Sequence, residues 1–319
     1  MSLPLLKQVG QRLLLGLLML LGVSVIIFAG TQVLPGDVAQ SILGQSATPE
    51  ALDSLRKEMG LYQSAPVRYW QWLSNALQGK FGQSLSNQQD IAEALGKRLS
   101  NTLFLAFWAA LVSVPLAITM GLVAVRYRNG FIDRLISGIG LASTSLPEFF
   151  VGYVLMYVFA VELQWVTSVS TVSEGMPLGE RLSVIILPVI VLTTAVLAHM
   201  MRMTRAAILN VMQSAYIETA ELKGLTALQI VYRHALPNAL APIINVVMLN
   251  LAFLVVGVVV VETIFVYPGM GQYLVDHVAK RDVPVVQACG LIFATVYVGM
   301  NIIADIASVM SNPRLRHPK

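Results

Sequence analysis

The sequence predicts an all-α protein that crosses a membrane six times. Of its 319 residues, 56% are hydrophobic and only 12% are charged, about half the charged share of an ordinary soluble domain. The apolar residues fall in blocks of about 20 or more, the length at which an α-helix crosses about 30 Å of hydrocarbon. The predicted spans lie at residues 13–33, 102–125, 135–161, 183–203, 239–266 and 285–310.

Composition and motifs narrow the functions that are open to this chain. The net charge of +4 comes from basic residues at the ends of apolar blocks, which argues for contact with membrane lipid and against a nucleic acid partner. The single cysteine, Cys289, excludes a disulfide framework, and no two histidines have the spacing of a helical metal site. Phosphate-loop, zinc-protease and nucleophile-elbow motifs are absent. We therefore predict a chain that is not an enzyme and binds no metal or cofactor, driven by another chain or by an ion gradient.

The distribution of Lys and Arg predicts the orientation, because these residues collect on the cytoplasmic side of a membrane. With the N-terminus inside, the inner segments hold most of the basic excess, including Arg126, Arg202 and Arg205, and the outer segments are balanced or slightly acidic. Both termini are then cytoplasmic. The first apolar run is too long for a signal peptide and lacks a clear cleavage site, so we predict a retained anchor. The chain divides into an N-terminus with the first span, an outer helical insertion and a five-helix core, at residues 1–33, 34–101 and 102–319.

Helix signals fill the outer insertion. Thr48 and Pro49 can cap and open a helix that stops at Gly60. Pro66 can open a second helix that ends near Gly79. This second helix carries aromatic residues that suit either an anchor at headgroup level or the core of a small extramembrane subdomain. The aromatic residues are Tyr69, Trp70 and Trp72.

Residues 206–238 are too polar to span a membrane and too regular to be a plain loop. They predict a helix, a break and a second helix. Apolar residues recur at helical spacing in the first helix, and Gly224 is placed to end that helix in a left-handed turn. The apolar residues are Ile208, Leu209, Met212, Ile217 and Ala220.

The second helix of this segment has its own start signals. Thr226 and Gln229 have the spacing of a capping box, and Leu225 and Ile230 occupy the two positions of a hydrophobic staple. Pro237 marks the junction with the fifth span. A short helix that is fixed at its ends can sit in a groove of a soluble partner and transmit rigid-body motion to the attached spans. The alternative is an amphipathic helix that rests on the lipid.

A short motif lies within the same segment. Glu218-Thr219-Ala220 is followed by three residues and Gly224, and later by Leu236-Pro237. The pattern resembles the EAA loop of ABC importer permeases, with Thr219 in place of an alanine and His234 in place of the usual isoleucine. The resemblance implies a coupling helix that sits in a cleft of an ATPase subunit. It implies contact with that subunit for Ser214, Tyr216, Glu218, Thr219, Ala220, Lys223 and Gly224, and a role in the structure of the turn for Leu225, Thr226, Gln229 and Pro237.

Several further segments resemble the first permease of dipeptide, oligopeptide and nickel importers. They include residues 43–50, 262–265, 267–271, 284–287 and 312–316. The resemblance covers nearly the whole chain and implies a subunit of the bacterial inner membrane. It also implies a second, similar permease, two ATPase subunits that carry ATP and magnesium, and an extracytoplasmic solute-binding protein.

The same resemblance leaves the solute open. A di- or oligopeptide is the expected solute, and the branch also includes carriers of nickel chelates, glutathione, opines and oligosaccharides. An ion-coupled secondary transporter is the alternative outside this family. It would favour matched repeats in the two halves, which the sequence does not show.

Ionisable residues inside the spans need a partner, a water-filled cavity or a proton. Glu148 follows Pro147 in the middle of the third span, where the proline can bend the helix. We expect Glu148 to face the translocation pathway and meet a cationic solute group, the alternative being a structural carboxylate. Glu262, near the outer end of the fifth span, is expected to be either hydrated and structural or part of the pathway. Asp305 is expected to pair with a nearby arginine or with the backbone, and His199 to lie at the membrane interface.

Overall fold

The computed structural model describes residues 3–33, 40, 47–58, 60–173 and 175–311, and most of them are helical. The predicted all-helical class is confirmed. The same residues include two π-helical turns, Tyr157–Glu162 and Ile230–Ala235. The α-helices in these ranges are α1 (Leu3–Val33), α2 (Pro49–Glu58), α3 (Ala65–Leu77), α4 (Ile91–Arg126), α5 (Phe131–Ser145), α6 (Glu148–Met156), α7 (Leu178–Val184), α8 (Ile186–Met212), α9 (Ala215–Leu222), α10 (Ala227–Gln229), α11 (Leu236–Gly257), α12 (Val259–Ile264), α13 (Met270–Ala279) and α14 (Val283–Ser311).

The described residues contain up to six membrane spans. Five are single helical runs that are long and apolar enough to cross a bilayer. The remaining predicted span is the pair formed by α5 and α6, whose axes differ by 100°. The single runs are Val9–Gln32, Ile91–Arg126, Ile186–Met212, Ala227–Ile264 and Val283–Ala307.

The third span is broken where the sequence places a proline. Leu146 is extended, with ψ of 130°, and Pro147 has ψ of 140°. Proline disfavours helical geometry in the residue before it and lacks the N–H that would continue the helix. The segment predicted as one span over 135–161 is therefore two helices joined at a bend, which form either one broken span or a re-entrant segment.

Two predicted boundaries are wrong because helices continue past them. The helix α4 begins at Ile91, with the Asp90 side chain as its N-cap, so the division predicted between residues 101 and 102 falls inside a helix. The helix α8 continues beyond residue 203 to Met212. His199 lies at the centre of α8, and its location at the membrane interface stays a prediction.

The fifth span starts earlier than predicted, at Ala227. No break occurs at Pro237, because the π-helical turn before it changes the hydrogen-bond register. The N–H of Leu236 donates to the carbonyl of Val231, five residues back, and Pro237 follows within the first turn of α11.

Both predicted outer helices are present. The N–H of Ala51 donates to Thr48 Oγ1 at 3.3 Å, which caps α2. Gly60 and Gly79 follow α2 and α3 with φ of +65° and +73°, the left-handed geometry that glycine adopts at little cost.

The aromatic residues of α3 dock this helix on the first span. The ring of Phe28 in α1 lies 5.5 Å from the Tyr69 ring and 5.8 Å from the Trp72 ring. Ser24 Oγ and the Tyr69 hydroxyl are 2.8 Å apart. Trp70 is exposed. Two of the three rings therefore pack against a membrane helix and not in a separate subdomain core, and the anchor at headgroup level stays a prediction.

The helix α8 lies at the centre of the core, between α4, α5 and α11. Small residues allow this close packing. A Cβ added at Gly121 of α4 would lie 2.9 Å from Thr204, and one added at Gly140 of α5 would lie 2.7 Å from Met201. The helix α1 packs on α14, where Arg12 and Asp305 form the expected ion pair at 3.0 Å.

Candidate coupling site and pathway residues

We name residues 213–235 the elbow, because they turn the chain between α8 and α11. The first predicted helix of this region is two helices. Met212 ends α8, and Ser214 then adopts an extended backbone with ψ of 143° before α9 begins at Ala215. The predicted helix included both Met212 and Ile217, because their spacing is helical. This spacing continues across the two-residue turn and therefore does not reveal the turn.

Gly224 ends α9 as predicted. Its φ is +78°, a conformation that costs other residues roughly 1–2 kcal/mol. Its N–H donates to Glu221 O at 2.8 Å, and the N–H of Leu225 donates to Ala220 O at 3.3 Å. The last carbonyls of α9 are thus satisfied within the turn.

The predicted capping box is present at the next helix. The N–H of Thr226 donates to Gln229 Oε1 at 3.0 Å, and the N–H of Gln229 donates to Thr226 Oγ1 at 3.4 Å. The helix that starts here passes through the π-helical turn into α11 without interruption. The elbow is therefore joined to the fifth span by a continuous helix.

A small apolar cluster fixes the angle of the elbow. Ile217, Ala220 and Ile230 are buried together, and Met212 and Leu225 pack against them. The staple residues Leu225 and Ile230 thus belong to one cluster, as predicted. Ala220 is 5% exposed, so its side chain has little surface left for the predicted contact with a partner. Its side chain faces Ile217 and Ile230, where a larger side chain would separate α9 from the following helix.

The outer surface of α9 carries the remaining predicted contact residues. Glu218, Thr219 and Lys223 are exposed, Tyr216 is exposed and directs its hydroxyl toward His234 O at 3.4 Å, and Ser214 is partly exposed. Sequence reasoning missed Leu222, the most exposed large hydrophobic residue of this helix at 84%. Its signal is an apolar side chain at a position that lies off the buried stripe of Ile217 and Ala220.

Glu262 is buried at the outer end of the fifth span and is 0% exposed. Its Oε1 accepts a 2.6 Å hydrogen bond from Thr102 Oγ1, and its Oε2 accepts from the N–H of Gly271 at 2.7 Å and of Gln272 at 3.2 Å. The expectations that Glu262 is hydrated or lines the pathway are therefore wrong, because the carboxylate joins α4, α12 and α13. A Cβ at Gly269 would overlap this carboxylate, which explains the glycine in the turn.

Glu148 has a different environment. It is the first residue of α6, directly after the break at Pro147, and it is partly exposed. Among the described residues, no side chain forms an ion pair with it.

A buried ion pair near the elbow was not predicted. Arg205 of α8 donates from Nε to Asp133 Oδ1 at 2.9 Å and from Nη2 to Oδ2 at 2.8 Å, and the N–H of Asn129 donates to Oδ2 at 3.0 Å. This bidentate pair joins the start of α5 to α8. The sequence offers only the two charges, which are 72 residues apart. In the part of the chain that the structure describes, no group of His, Cys, Asp or Glu side chains is arranged to hold a metal ion.

Comparison with known families matches nearly all of this sequence. Residues 5–106 match the N-terminal family of binding-protein-dependent transport system membrane components. Residues 113–317 match the family described as binding-protein-dependent transport system inner membrane component. The chain belongs to this family.

Two curated relatives match this permease over nearly all of their length. A probable peptide ABC transporter permease, y4tP of Sinorhizobium fredii, is 32% identical over 96% of this chain and 98% of its own. The glutathione transport system permease GsiC of Escherichia coli is 35% identical over 92% of this chain and 94% of its own. A solved structure of the MetNI methionine ABC transporter in an inward-facing conformation shares the fold, with a TM-score of 0.51 and 19% identity over 68% of this chain and 94% of that chain.

These matches establish a multi-pass membrane permease of an ABC importer, in the peptide and oligopeptide branch. The permease is a translocation-pathway subunit. The alternative of an ion-coupled secondary transporter is therefore wrong. The resemblance that the Glu218 to Pro237 motif suggested is confirmed at the level of the family.

Proposed function

We propose that this permease moves di- or oligopeptides inward in an importer powered by ATP. The peptide assignment is supported by the curated relative that is named a peptide permease. The partly exposed carboxylate of Glu148, at the bend after Pro147, is suited to meet the cationic amino group of such a solute. The permease itself performs no hydrolysis in this proposal.

The proposed assembly contains a second, similar permease, two ATPase subunits that hold ATP and magnesium, and an extracytoplasmic solute-binding protein. It lies in the bacterial inner membrane, with both termini of this permease in the cytoplasm. The family description, which names binding-protein dependence and an inner membrane component, supports this arrangement. The basic excess of the predicted inner segments supports the orientation.

The elbow is the proposed joint with an ATPase subunit, and one observation carries this role. Its α9 presents an exposed leucine, Leu222, beside the charged side chains of Glu218, Glu221 and Lys223, while its buried face is fixed against Ile230. An exposed apolar residue within a polar rim is typical of the centre of a protein interface. Displacement of this surface reaches two spans, because α8 ends two residues before α9 and the second helix continues into α11.

Replacement of Leu222 tests the proposal. Leu222→Glu places a charge at the centre of the proposed interface, so we expect it to remove the ATPase subunits from the complex purified in detergent and to stop uptake. The matched control is Leu77→Glu, since Leu77 is 82% exposed and lies at the end of α3 in the outer insertion. Retention of ATPase subunits and normal uptake in the Leu222 variant would favour the alternative in which α9 rests on lipid.

A further inference from the structure

The half of α8 that leads to the elbow has a polar stripe on its exposed face. At about 100° per residue, the exposed positions of this half fall within an arc of about 100°. The five exposed positions are His199, Arg202, Met203, Ala206 and Asn210. Three of them, His199, Arg202 and Asn210, carry polar side chains.

The other charged residue of this half points elsewhere. Arg205 is turned toward α5, where it forms its ion pair with Asp133. The exposed residues near the opposite end of α8, Ile186 and Ile190, are apolar. Ile190 lies about 180° around the helix from His199. The exposed polar side chains of α8 are therefore confined to one face and to the half of the helix that leads to the elbow.

His199 lies at the midpoint of α8. It is flanked by about 13 residues on each side in α8, which places it about 20 Å from either end. Its Nδ1 lies 3.1 Å from Nδ2 of Asn250 in α11, and the same Nδ2 donates to Val246 O at 2.8 Å. Asn250 is buried, so the asparagine holds the imidazole in place while the rest of the ring stays exposed.

Contact with lipid does not suit this face. A charged or strongly polar group costs at least about 2.5 kcal/mol at the centre of a bilayer. The stripe starts with an imidazole at the middle of a helix that is long and apolar enough to cross a membrane, and it continues to a guanidinium. The exposed face of α1 shows the lipid-compatible composition for comparison. Its exposed residues include Leu13, Leu14, Leu17, Leu18 and Met19.

We propose that the stripe of His199, Arg202 and Asn210 lines the half of the translocation pathway that leads to the elbow, with His199 and Arg202 contacting a carboxylate group of the solute. This deepens the proposed transport function and rests on it. Arg202 supplies a permanent positive charge and planar N–H donors that match a carboxylate. His199, held by Asn250, supplies a second polar contact on the same face of α8. Free peptides carry such a carboxylate at the C-terminus.

Cysteine labelling tests whether the stripe faces water. Cys289 is completely buried, so the unchanged permease in membrane vesicles gives the background of a membrane-impermeant thiol reagent. We expect His199→Cys and Ala206→Cys to be labelled at least about tenfold faster than Ile190→Cys. The reason is that the reagent reacts with the thiolate, which forms when the thiol is in contact with water. Equal, slow labelling at all three positions, with full labelling after denaturation, would overturn the assignment of the stripe to the pathway.

Transport tests the contact with a carboxylate. The solutes are a peptide with a free C-terminus and the same peptide with a C-terminal amide, each delivered by the binding protein. We expect Arg202→Gln and His199→Leu to lower uptake of the free peptide about tenfold, the scale of one hydrogen bond to a charged group, and to leave the amide unchanged. His199→Gln, which keeps a hydrogen-bonding group, should retain most uptake. An equal loss for both peptides, or no loss for either, would overturn the proposed contact.

The two failures can be told apart. Absence of uptake by the unchanged importer for both peptides would contradict the proposed peptide function. The labelling pattern does not require a peptide, so it still decides whether His199 and Ala206 face water.

Discussion

The Thr102 hydroxyl donates to the Glu262 carboxylate at 2.6 Å, although 160 residues separate the two in the sequence. The same hydroxyl accepts from the N–H of Met270 at 2.8 Å. This pair therefore joins α4 to α12 and to the first residue of α13, in a region where both side chains are fully buried. Glu262 also accepts from the N–H groups of Gly271 and Gln272, so the packing of these three helices depends on its carboxylate.

Removal of the carboxylate should destabilise this end of the fold. In Glu262→Ala, the Thr102 hydroxyl and the N–H of Gly271 lose their acceptor, and each buried unsatisfied group costs about 1–3 kcal/mol. We expect a clear drop in the melting temperature in detergent. Glu218→Ala is the control, because Glu218 is exposed on α9, and its melting temperature should stay near that of the unchanged permease. Equal melting temperatures for both variants would contradict the role given to Glu262.

Gly269→Ala should act on the same contact from the other side. The new Cβ would overlap the Glu262 carboxylate, so α13 must shift or the carboxylate must lose its donors. We expect a lower melting temperature and less folded protein by size-exclusion chromatography. Gly179→Ala in α7 is matched to it, since a Cβ there has no neighbour within 4 Å. If the two alanine variants behave alike, the close approach of Gly269 and Glu262 is incorrect.

The turn at Gly224 should control coupling without controlling insertion. Gly224→Asn is expected to keep uptake, because asparagine tolerates a positive φ. Gly224→Val is expected to reduce uptake and to leave ATPase activity unlinked to solute, because a β-branched residue strains a φ of +78°. The amount of permease in the membrane, measured by immunoblot, checks that insertion is unchanged. Normal coupled transport by the valine variant would count against a rigid elbow.

Glu148→Gln should change solute preference. The substitution removes a charge at the bend after Pro147 and keeps the size of the side chain, so uptake of a cationic peptide should fall relative to a neutral one. The ratio of the two uptake rates is the measurement. Glu180→Gln serves as control because Glu180 is exposed in α7. An unchanged ratio in the Glu148 variant would remove its proposed contact with the solute.

Acid should loosen a second outer contact, made by Asp282. Burial by itself raises the pKa of this carboxyl, but hydrogen bonds from Ser84 and from the backbone of Leu85 and Ser86 outweigh it and hold the pKa below its ordinary value of 3.8. A carboxyl with a lowered pKa in the folded state stabilises the fold above its unfolded pKa, and this contribution is lost as the pH falls through the folded value.

The measurement for this prediction is the melting temperature between pH 6 and pH 3, ranges chosen to bracket an ordinary carboxyl pKa of about 4. We expect the melting temperature of the unchanged permease to fall as the pH is lowered. The melting temperature of Asp282→Asn should be lower at pH 6 and should fall less with acid. Asp276→Asn, at an exposed position of α13, should follow the unchanged curve. Parallel curves for all three proteins would show that Asp282 makes no such contribution.

Local signals of the sequence predicted local structure correctly. The capping box of Thr226 and Gln229, the left-handed turn at Gly224 and the helix stops at Gly60 and Gly79 are all present, because each depends on residues only a few positions apart. The bend at Pro147 was indicated by the proline, whereas its size of 100° was not. The start of α4 and the end of α8 were predicted wrongly, because polar residues can end an apolar block without ending the helix.

The sequence by itself determined the number of spans, the family and the chemistry of the elbow, because hydrophobic length, capping and the Glu218 to Pro237 motif are written in consecutive residues. Only the tertiary structure decided the direction in which each polar side chain points. It turned Glu262 into the fold, set Ala220 against Ile230 and placed His199 beside Asn250 on an exposed face. The physical reason is that burial and hydrogen-bond partners depend on helices that meet across long separations in the chain, and the cost of an unpaired polar group is settled only where they meet.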